Sequence, residues 1–394
     1  MLVVRVIGDC PGCGARDCYG NVAVREYIQR GCKRCTYQSK VWLPEIKKRV
    51  IYLDQFFFSH AFRGGDQRFL TAAERVERMS HLQLLVAPYS SVHEDETYQW
   101  RGYKDKGHEQ LMEFIKATAR GAEFEKDYSV ERTQVLKAWR AFLEDQSPAY
   151  VLEDRDAIKG SLDKWDDYFR IDVGGYHRDV ELKRTLKTQA VDALVTMFDQ
   201  WQVSTQTFEQ DVALEVSDAG KNYMNTFLTM FNRIGRGDLN AVIDSPIAAT
   251  MVEHMMHWLP EQQPFADKLH RCAKFFSSDY FAQVPIFWIK ARMFATLKSM
   301  VKRGAYANRE EARKRLSGVF DDISHISHYA PYCDAIVMDT PMADLVRQPT
   351  VGIEERYGIK VFSLTNWSEL LAWLDSLEAN MSAEHAAGVT AAYQ

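Results

Sequence analysis

Two short apolar runs in the first quarter of the chain have the pattern of buried parallel strands. Residues 50–53 (VIYL) end abruptly at Asp54, as expected for a strand that is covered on both faces. The run LQLLVAPYSS over residues 82–91 predicts a second strand, which Pro88 ends because proline cannot donate a ladder hydrogen bond. Residues 66–81 between them have helical periodicity. The pattern therefore predicts a strand–helix–strand unit.

The same pattern returns near the C-terminus. Residues 335–338 form an apolar run that ends at Asp339, and residues 360–363 (KVFS) form another short strand. Asn366, followed three residues later by a glutamate, predicts a capping box for a final helix. We expect the strands of both halves to form one parallel sheet. Residues 379–394 are expected to be a frayed tail.

The region between the two halves has almost purely helical periodicity. Apolar side chains recur there at spacings of three and four residues, which is typical of amphipathic helices that face a core. A turn signal, VGGY at residues 173–176, interrupts this pattern. We therefore predict an α-helical insertion over residues 116–317, between a first core half (48–115) and a second core half (318–378).

The first 47 residues contain cysteines spaced as zinc ligands. The predicted ligands are Cys10, Cys13, Cys32 and Cys35. They form two C-x2-C pairs, in which a tight turn aims both sulfurs at one ion, and the intervening VAVREYIQR alternates like a strand. Because four thiolates leave no open coordination position, the predicted zinc is structural, within a zinc ribbon over residues 1–47. Cys18 lies outside the pairs and is expected to be a bystander.

Composition narrows the class of protein. With 394 residues, 46% of them hydrophobic, the chain can form two or three ordered units. No apolar run approaches the roughly 20 residues of a membrane helix, so we expect no membrane partner. The N-terminus lacks a secretory signature, and most cysteines cluster in one region, so we expect a cytoplasmic protein. A net charge of −5 argues against coating nucleic acid, but allows a local basic groove.

Four acidic residues occupy positions where ligands gather in open parallel sheets. They are Asp54, Glu96, Asp322 and Asp339. Two of them end strands, and the carboxyl ends of parallel strands share one edge. Clustered carboxylates repel each other unless a divalent cation neutralises them, and such oxygen ligands suit Mg²⁺ or Mn²⁺. Each acid alone is more often a surface residue or a helix cap, so the combination carries the hypothesis.

Neighbouring acids leave two of these assignments open. Glu94 and Asp95 precede Glu96, which we favour because it lies three residues after His93 on the same helical face. Asp321 competes in the same way with the aspartate that follows it.

Three further residues near these positions are expected to be structural. Asp334 stands at the start of the third strand. His325 and His328 lie one helical turn apart and could touch phosphate or a ligating carboxylate, but buried structural roles are favoured.

Three segments resemble the PIN-like nuclease family. They are VIYLDQFFFSH, PYSSVHEDET and DDISHISHYAPYCDAIVMDTPMADLV, and the resemblance covers about residues 48–125 and 305–378. The family places an aspartate on a helix, followed by a second aspartate at the end of the next strand. Asp322 and Asp339, 17 positions apart, have the spacing typical of that pair.

The resemblance implies an α/β fold with a parallel PIN-like core, a large α-helical insertion and a small N-terminal zinc ribbon. It also implies a metal-dependent endonuclease, in which the four acids hold one or two Mg²⁺ or Mn²⁺ ions for hydrolysis of a phosphodiester. RNA is favoured over DNA as the substrate, and a toxin or phage-defence role with an inhibitor or partner protein is compatible with the family. The alternative is a catalytically silent PIN-like scaffold that binds nucleic acid or protein through its ribbon and helices.

Overall fold

The computed structural model describes residues 2–165, 180–244, 247–305, 309–316 and 318–393, so the predicted turn at residues 173–176 lies outside the described residues. The strands are β1 (Arg5–Gly8), β2 (Tyr19–Val24), β3 (Tyr27–Cys32), β4 (Gln38–Trp42), β5 (Arg49–Leu53), β6 (Leu85–Val86), β7 (Ala335–Val337) and β8 (Lys360–Phe362). The helices are α1 (Gln55–Arg63), α2 (Gln67–His81), α3 (Ser91–Gln99), α4 (His108–Thr118), α5 (Asp127–Leu143), α6 (Val180–Thr196), α7 (Phe198–Gln202), α8 (Phe208–Gly235), α9 (Asn240–Asp244), α10 (Ile247–His257), α11 (Phe265–Phe276), α12 (Asp279–Ala282), α13 (Pro285–Lys302), α14 (Arg309–Arg315), α15 (Val319–Tyr329), α16 (Thr340–Val346), α17 (Ile353–Tyr357), α18 (Trp367–Ala379) and α19 (Ala383–Tyr393).

The strands from both halves of the chain form one parallel sheet, in the order β6–β5–β7–β8. Leu53 of β5 is paired with Val337 of β7, which is in turn paired with Phe362 of β8. The prediction of one parallel sheet from two distant halves is therefore confirmed. Because all four strands run in the same direction, their carboxyl ends and the loops that follow them lie at one edge.

Both faces of this sheet are buried, which explains why its strands are continuous apolar runs. Along β5, Val50 and Tyr52 point into a larger core that includes α5, α13 and α15. Ile51 and Leu53 point into a smaller core that includes α1, α2, α4 and α18. The sheet is thus the middle layer between two layers of helices.

The predicted helical insertion is helical, but it shares its core with the sheet. Ile289 and Met293 of α13 are completely buried in the cluster that contains Ile336 of β7. Trp139 of α5 is also completely buried there, and its indole N–H donates to the carbonyl of Met255 at 3.2 Å. The helices are therefore a packed layer of the α/β unit. None of them, in the described ranges, combines the length and apolar composition needed to cross a membrane.

The C-terminal segment forms α19 and packs on the ribbon, which corrects the expectation of a frayed tail. Val389 of α19 is buried in one cluster with Val24 and Ile28 of the ribbon. Asn21 on β2 donates its side-chain amide to the carbonyl of Ala391 at 3.2 Å. The helix escaped sequence analysis because its packing face consists mostly of small residues, which leave a weak apolar pattern.

Two local predictions are also corrected. The segment between the cysteine pairs is a hairpin rather than a single strand, with Val24 of β2 opposite Ile28 of β3. Asn366 does precede α18, but it does not cap that helix with its side chain. Its Oδ1 instead accepts hydrogen bonds from the Ser363 N–H (2.9 Å) and from Arg347 (2.7 Å).

The α19–ribbon contact leads to a stability prediction. We expect Val389→Asp to lower the free energy of unfolding by about 3 kcal/mol, because it places an unpaired carboxylate in an apolar cluster. We also expect faster proteolysis of the ribbon. Urea unfolding and limited trypsin digestion measure both effects. Ala387→Asp, at an exposed position of the same helix, is the matched control, and equal stability of the two variants would contradict the prediction.

Candidate metal centre and acidic sheet edge

The four predicted zinc ligands converge at one end of the ribbon. Cys10 Sγ lies 3.6 Å from Cys35 Sγ, and Cys13 Sγ lies 3.9 Å from Cys32 Sγ. A tetrahedral ion with zinc–sulfur bonds of about 2.3 Å implies sulfur–sulfur distances of about 3.8 Å. All four ligand atoms lie within 4.8 Å of one another. The four sulfurs are therefore close enough to bind one metal ion such as zinc.

Backbone N–H groups hold these sulfurs in place. The N–H of Gly12 points at Cys10 Sγ (3.3 Å), and the N–H of Arg34 points at Cys32 Sγ (3.2 Å). Burial raises the pKa of Cys32, but hydrogen bonds led by the Arg34 N–H outweigh this effect and lower the pKa to about 6. The thiolate is the form that binds a metal ion, so the turn favours the ligating form.

Cys18 lies beside the ligand set without belonging to it. Its Sγ is 3.4 Å from Cys32 Sγ and 3.0 Å from the carbonyl of Ala15. Burial is the main cause that raises the pKa of Cys18, to about 11. The group of sulfurs that all lie within 4.8 Å of one another does not include Cys18, which fits the bystander role predicted from the spacing.

The acidic edge of the sheet begins with two strand-end aspartates, each of which caps a helix. Asp54 Oδ1 accepts the Gln55 N–H (2.8 Å) at the start of α1. Asp339 Oδ1 accepts the Met342 N–H (2.9 Å) at the start of α16. The Asp54 N–H donates to the carbonyl of Val337 on the adjacent strand (3.0 Å). The two carboxylates therefore stand on neighbouring strands at the same edge, near the positive ends of two helices.

His93 ties α3 to the carboxyl end of β5. The His93 side chain is completely buried, and its Nδ1 accepts the Ser90 N–H at 2.9 Å. The ring proton therefore resides on Nε2, which donates to the carbonyl of Leu53 at 2.8 Å. Burial lowers the pKa of His93 to about 4, so the ring is neutral at pH 7. Glu96 lies one turn further along α3, on the helical face that this bond turns toward the strand end.

The negative charges of three of the four predicted carboxylates act on the buried side chain of Tyr52. Burial raises the pKa of the Tyr52 phenol, and the negative charges of Asp54, Glu96 and Asp322 raise it further. These acids come from the end of β5, from α3 and from α15. The Tyr52 hydroxyl lies 2.9 Å from Nδ1 of His325, which is also on α15. Acids from three different elements thus lie near enough to Tyr52 for their charges to act on it.

The carboxylates are spaced more widely than the cysteines. Among the residues that the structure describes, the four cysteines form a group whose ligand atoms all lie within 4.8 Å of one another. The four carboxylates, which also lie in the described ranges, do not form such a group. Asp339 is not among the charges that act most strongly on Tyr52, whereas Glu96 and Asp322 are.

The other residues singled out in the sequence have structural contacts. His328 Nδ1 donates to the carbonyl of Ser324 one turn earlier in α15 (2.6 Å). Asp334 stands at the amino end of β7, where it accepts the Val50 N–H (2.8 Å) and pairs with Arg49 (2.7 Å). Asp334 therefore lies at the end of the sheet opposite to the acidic edge.

Sequence analysis missed Tyr52, Gln55 and Thr97 as parts of this site. The Gln55 side chain donates to Thr97 Oγ1 at 3.0 Å, so it links α1 to α3 between Asp54 and Glu96. Tyr52 looked like an ordinary core aromatic in an apolar run. The one available signal was its position two residues before Asp54. Because alternate residues of a strand share a face, that position predicts that Tyr52 and Asp54 lie on the same side of the sheet.

Comparisons with protein-family models, with curated proteins and with solved structures return no match to this chain. The resemblance to the PIN-like family therefore depends on the residues and their placement alone.

The cysteine cluster leads to a prediction about metal content. We expect Cys13→Ser to abolish stoichiometric zinc binding, because it removes one of four ligands, and Cys18→Ala to retain one zinc per chain. Inductively coupled plasma mass spectrometry of the purified proteins gives the content. Equal loss of zinc in both variants would add Cys18 to the ligand set.

Buried His93 leads to a prediction about pH. The folded protein takes up a proton on His93 only near pH 4, whereas the unfolded chain does so near the ordinary value of 6.5. The unfolded state therefore binds more protons between these values, so stability falls as the pH falls from about 6.5 to about 4, by about 3 kcal/mol at most.

The His93→Gln variant keeps a side-chain N–H but cannot titrate in this range, so we expect a flatter pH dependence of its free energy of unfolding. Urea denaturation between pH 4 and 7 measures this dependence. His81→Gln, at an exposed position, is the control and should follow the wild type. If His93→Gln also followed the wild type, His93 would not be the titrating group.

Proposed function

We propose that this chain is a metal-dependent endonuclease that hydrolyses phosphodiester bonds, with RNA as the favoured substrate. The observation that carries the proposal is the position of Asp54 at the carboxyl end of a parallel strand, together with Glu96 and Asp322, whose charges act with it on the buried Tyr52. Asp339 joins the same edge from the next strand. Open parallel sheets bind their ligands at this edge, and the acids come from the segments that resemble PIN-like nucleases.

The donor set fits a hard divalent cation. Carboxylate oxygens are preferred ligands of Mg²⁺ and Mn²⁺, and an ion bound here supplies charge neutralisation and activation of water for phosphodiester hydrolysis. Mg²⁺ usually keeps several of its waters and is bound by only one or two carboxylates directly. The wider spacing of the acids is therefore compatible with ligation that is partly mediated by water.

The chain's own groups position these acids. The helix caps formed by Asp54 and Asp339 fix the direction of each carboxylate at the edge. The bond from His93 to Leu53 holds the first turn of α3, and with it the face that bears Glu96, against the strand end. Preorganised charges of this kind are the usual source of electrostatic catalysis.

A substitution test follows from the caps. Asp54→Asn and Asp339→Asn keep an oxygen that can accept the cap hydrogen bond, so we expect the melting temperature to change little. Loss of the negative charge should lower the rate of RNA cleavage at least about 100-fold, because metal ligation is removed. The measurement is cleavage of a labelled single-stranded RNA with Mg²⁺ or Mn²⁺.

Asp344→Asn, on the exposed side of α16, is the matched control and should cleave like the wild type. Calorimetric titration with Mn²⁺ separates an enzyme from a silent scaffold, because the Asp54→Asn variant should lose a binding site. Wild-type cleavage by purified Asp339→Asn protein would overturn the assignment of that residue, and unchanged cleavage by both variants would overturn the proposed site.

A further inference from the structure

The ribbon sheet has two chemically different faces. One face buries Val24 and Ile28 against α19, so it is already covered. The opposite face carries the side chains that alternate with them, Tyr27 on β3 and Lys40 and Trp42 on β4. Trp42 is paired directly with Tyr27 across the two strands. We call the surface formed by Tyr27, Gln29, Lys40 and Trp42 the outer face of the ribbon.

The outer face presents aromatic surface and positive charge side by side. The Trp42 side chain is 70% exposed, which is unusual for a tryptophan. Its ring meets the Tyr27 ring edge-on, with centroids 5.2 Å apart and an interplanar angle of 67°. The Lys40 ammonium lies 4.3 Å from the Tyr27 centroid. Lys40 therefore packs on the Tyr27 ring. The exposed indole of Trp42 presents a flat aromatic surface next to this positive charge.

Charge is concentrated in the same unit. The first 47 residues contain eight basic and four acidic residues, a net charge of +4, in a chain whose net charge is −5. The outer face is flanked by exposed Arg25 at the β2–β3 turn and by exposed Lys33 and Arg34 at the cysteine end. A polyanion is therefore attracted to the ribbon and repelled by the acidic remainder of the chain.

We propose that the outer face of the ribbon binds single-stranded RNA, with an unpaired base stacked on Trp42 and a backbone phosphate beside Lys40. Exposed aromatic rings interleaved with basic side chains are the features that proteins use for unpaired strands, and single-stranded segments are the form of RNA whose bases are open to stacking. A duplex hides its bases from such a surface. The role of this face in delivering RNA rests on the proposed nuclease function, but the binding itself can be measured separately.

The test measures binding alone, by fluorescence anisotropy of a labelled 12-nucleotide oligouridine with full-length protein and no added Mg²⁺ or Mn²⁺. We expect Trp42→Ala to weaken binding about tenfold, which corresponds to the loss of one base stack. Lys40→Ala should weaken binding less and reduce the dependence of affinity on salt by about one phosphate contact. Trp258→Ala, an exposed tryptophan outside the ribbon, and Lys360→Ala, an exposed lysine at the start of β8, are the matched controls.

Wild-type affinity in both Trp42→Ala and Lys40→Ala would overturn the inference, as would tighter binding of a duplex or of an oligothymidine than of the oligouridine. Zinc content and melting temperature of each variant exclude loss of the ribbon fold as the cause of weaker binding. Cleavage by the Asp54→Asn variant tests the proposed function separately. If that variant cleaves RNA normally while Trp42→Ala binds poorly, the nuclease site is wrong and the RNA-binding face is retained.

Discussion

The hydrogen bond from His93 Nε2 to the carbonyl of Leu53 connects the architecture of this protein to its candidate chemistry. A parallel strand ends with backbone groups that need partners, and an imidazole buried in apolar surroundings needs both of its nitrogens satisfied. His93 Nδ1 accepts the Ser90 N–H at the start of α3. The same neutral ring therefore provides hydrogen-bond partners for a backbone N–H of α3 and for a backbone carbonyl of β5. The bond to Leu53 holds the first turn of α3, the helix that bears Glu96, against the end of β5.

The third acid of this group, Asp322, depends on the helical region. α15 carries Asp322 in its first turn and packs in the same core as α5 and α13. Near the other end of α15, His328 lies 3.8 Å from the carboxylate of Glu131 on α5, which also accepts a hydrogen bond from Tyr223. Burial raises the pKa of Glu131, but His328 and Lys290 outweigh this effect and lower it to about 2. A largely buried carboxylate needs such partners, and here the partners fix the helix that presents Asp322.

The ribbon and the sheet carry two candidate metal sites with different kinds of ligand. Four thiolates would close the coordination shell of a zinc ion and stabilise a unit with little core of its own. The oxygen ligands at the sheet edge suit an exchangeable hard cation. α19 joins the two parts, because it is held both by the ribbon and by the bond from His385 Nε2 to the carbonyl of Leu82 at the end of α2 (2.7 Å). The outer face of the ribbon therefore has a defined position relative to the sheet.

Local sequence determined the features that depend on short range. The cysteine spacing predicted the sulfur cluster, and apolar runs ending in Asp54 and Asp339 predicted two strands of one parallel sheet, because strand length, turn geometry and ligand spacing are encoded within a few residues. That these two strands are neighbours was decided by the fold. Tertiary structure alone decided which acids act on Tyr52, since they come from elements up to 268 positions apart, between Asp54 and Asp322. It also decided that α19 is a packed helix, because small residues such as Ala392 give no apolar pattern until a partner surface covers them. Both features depend on long-range packing, which no local sequence pattern records.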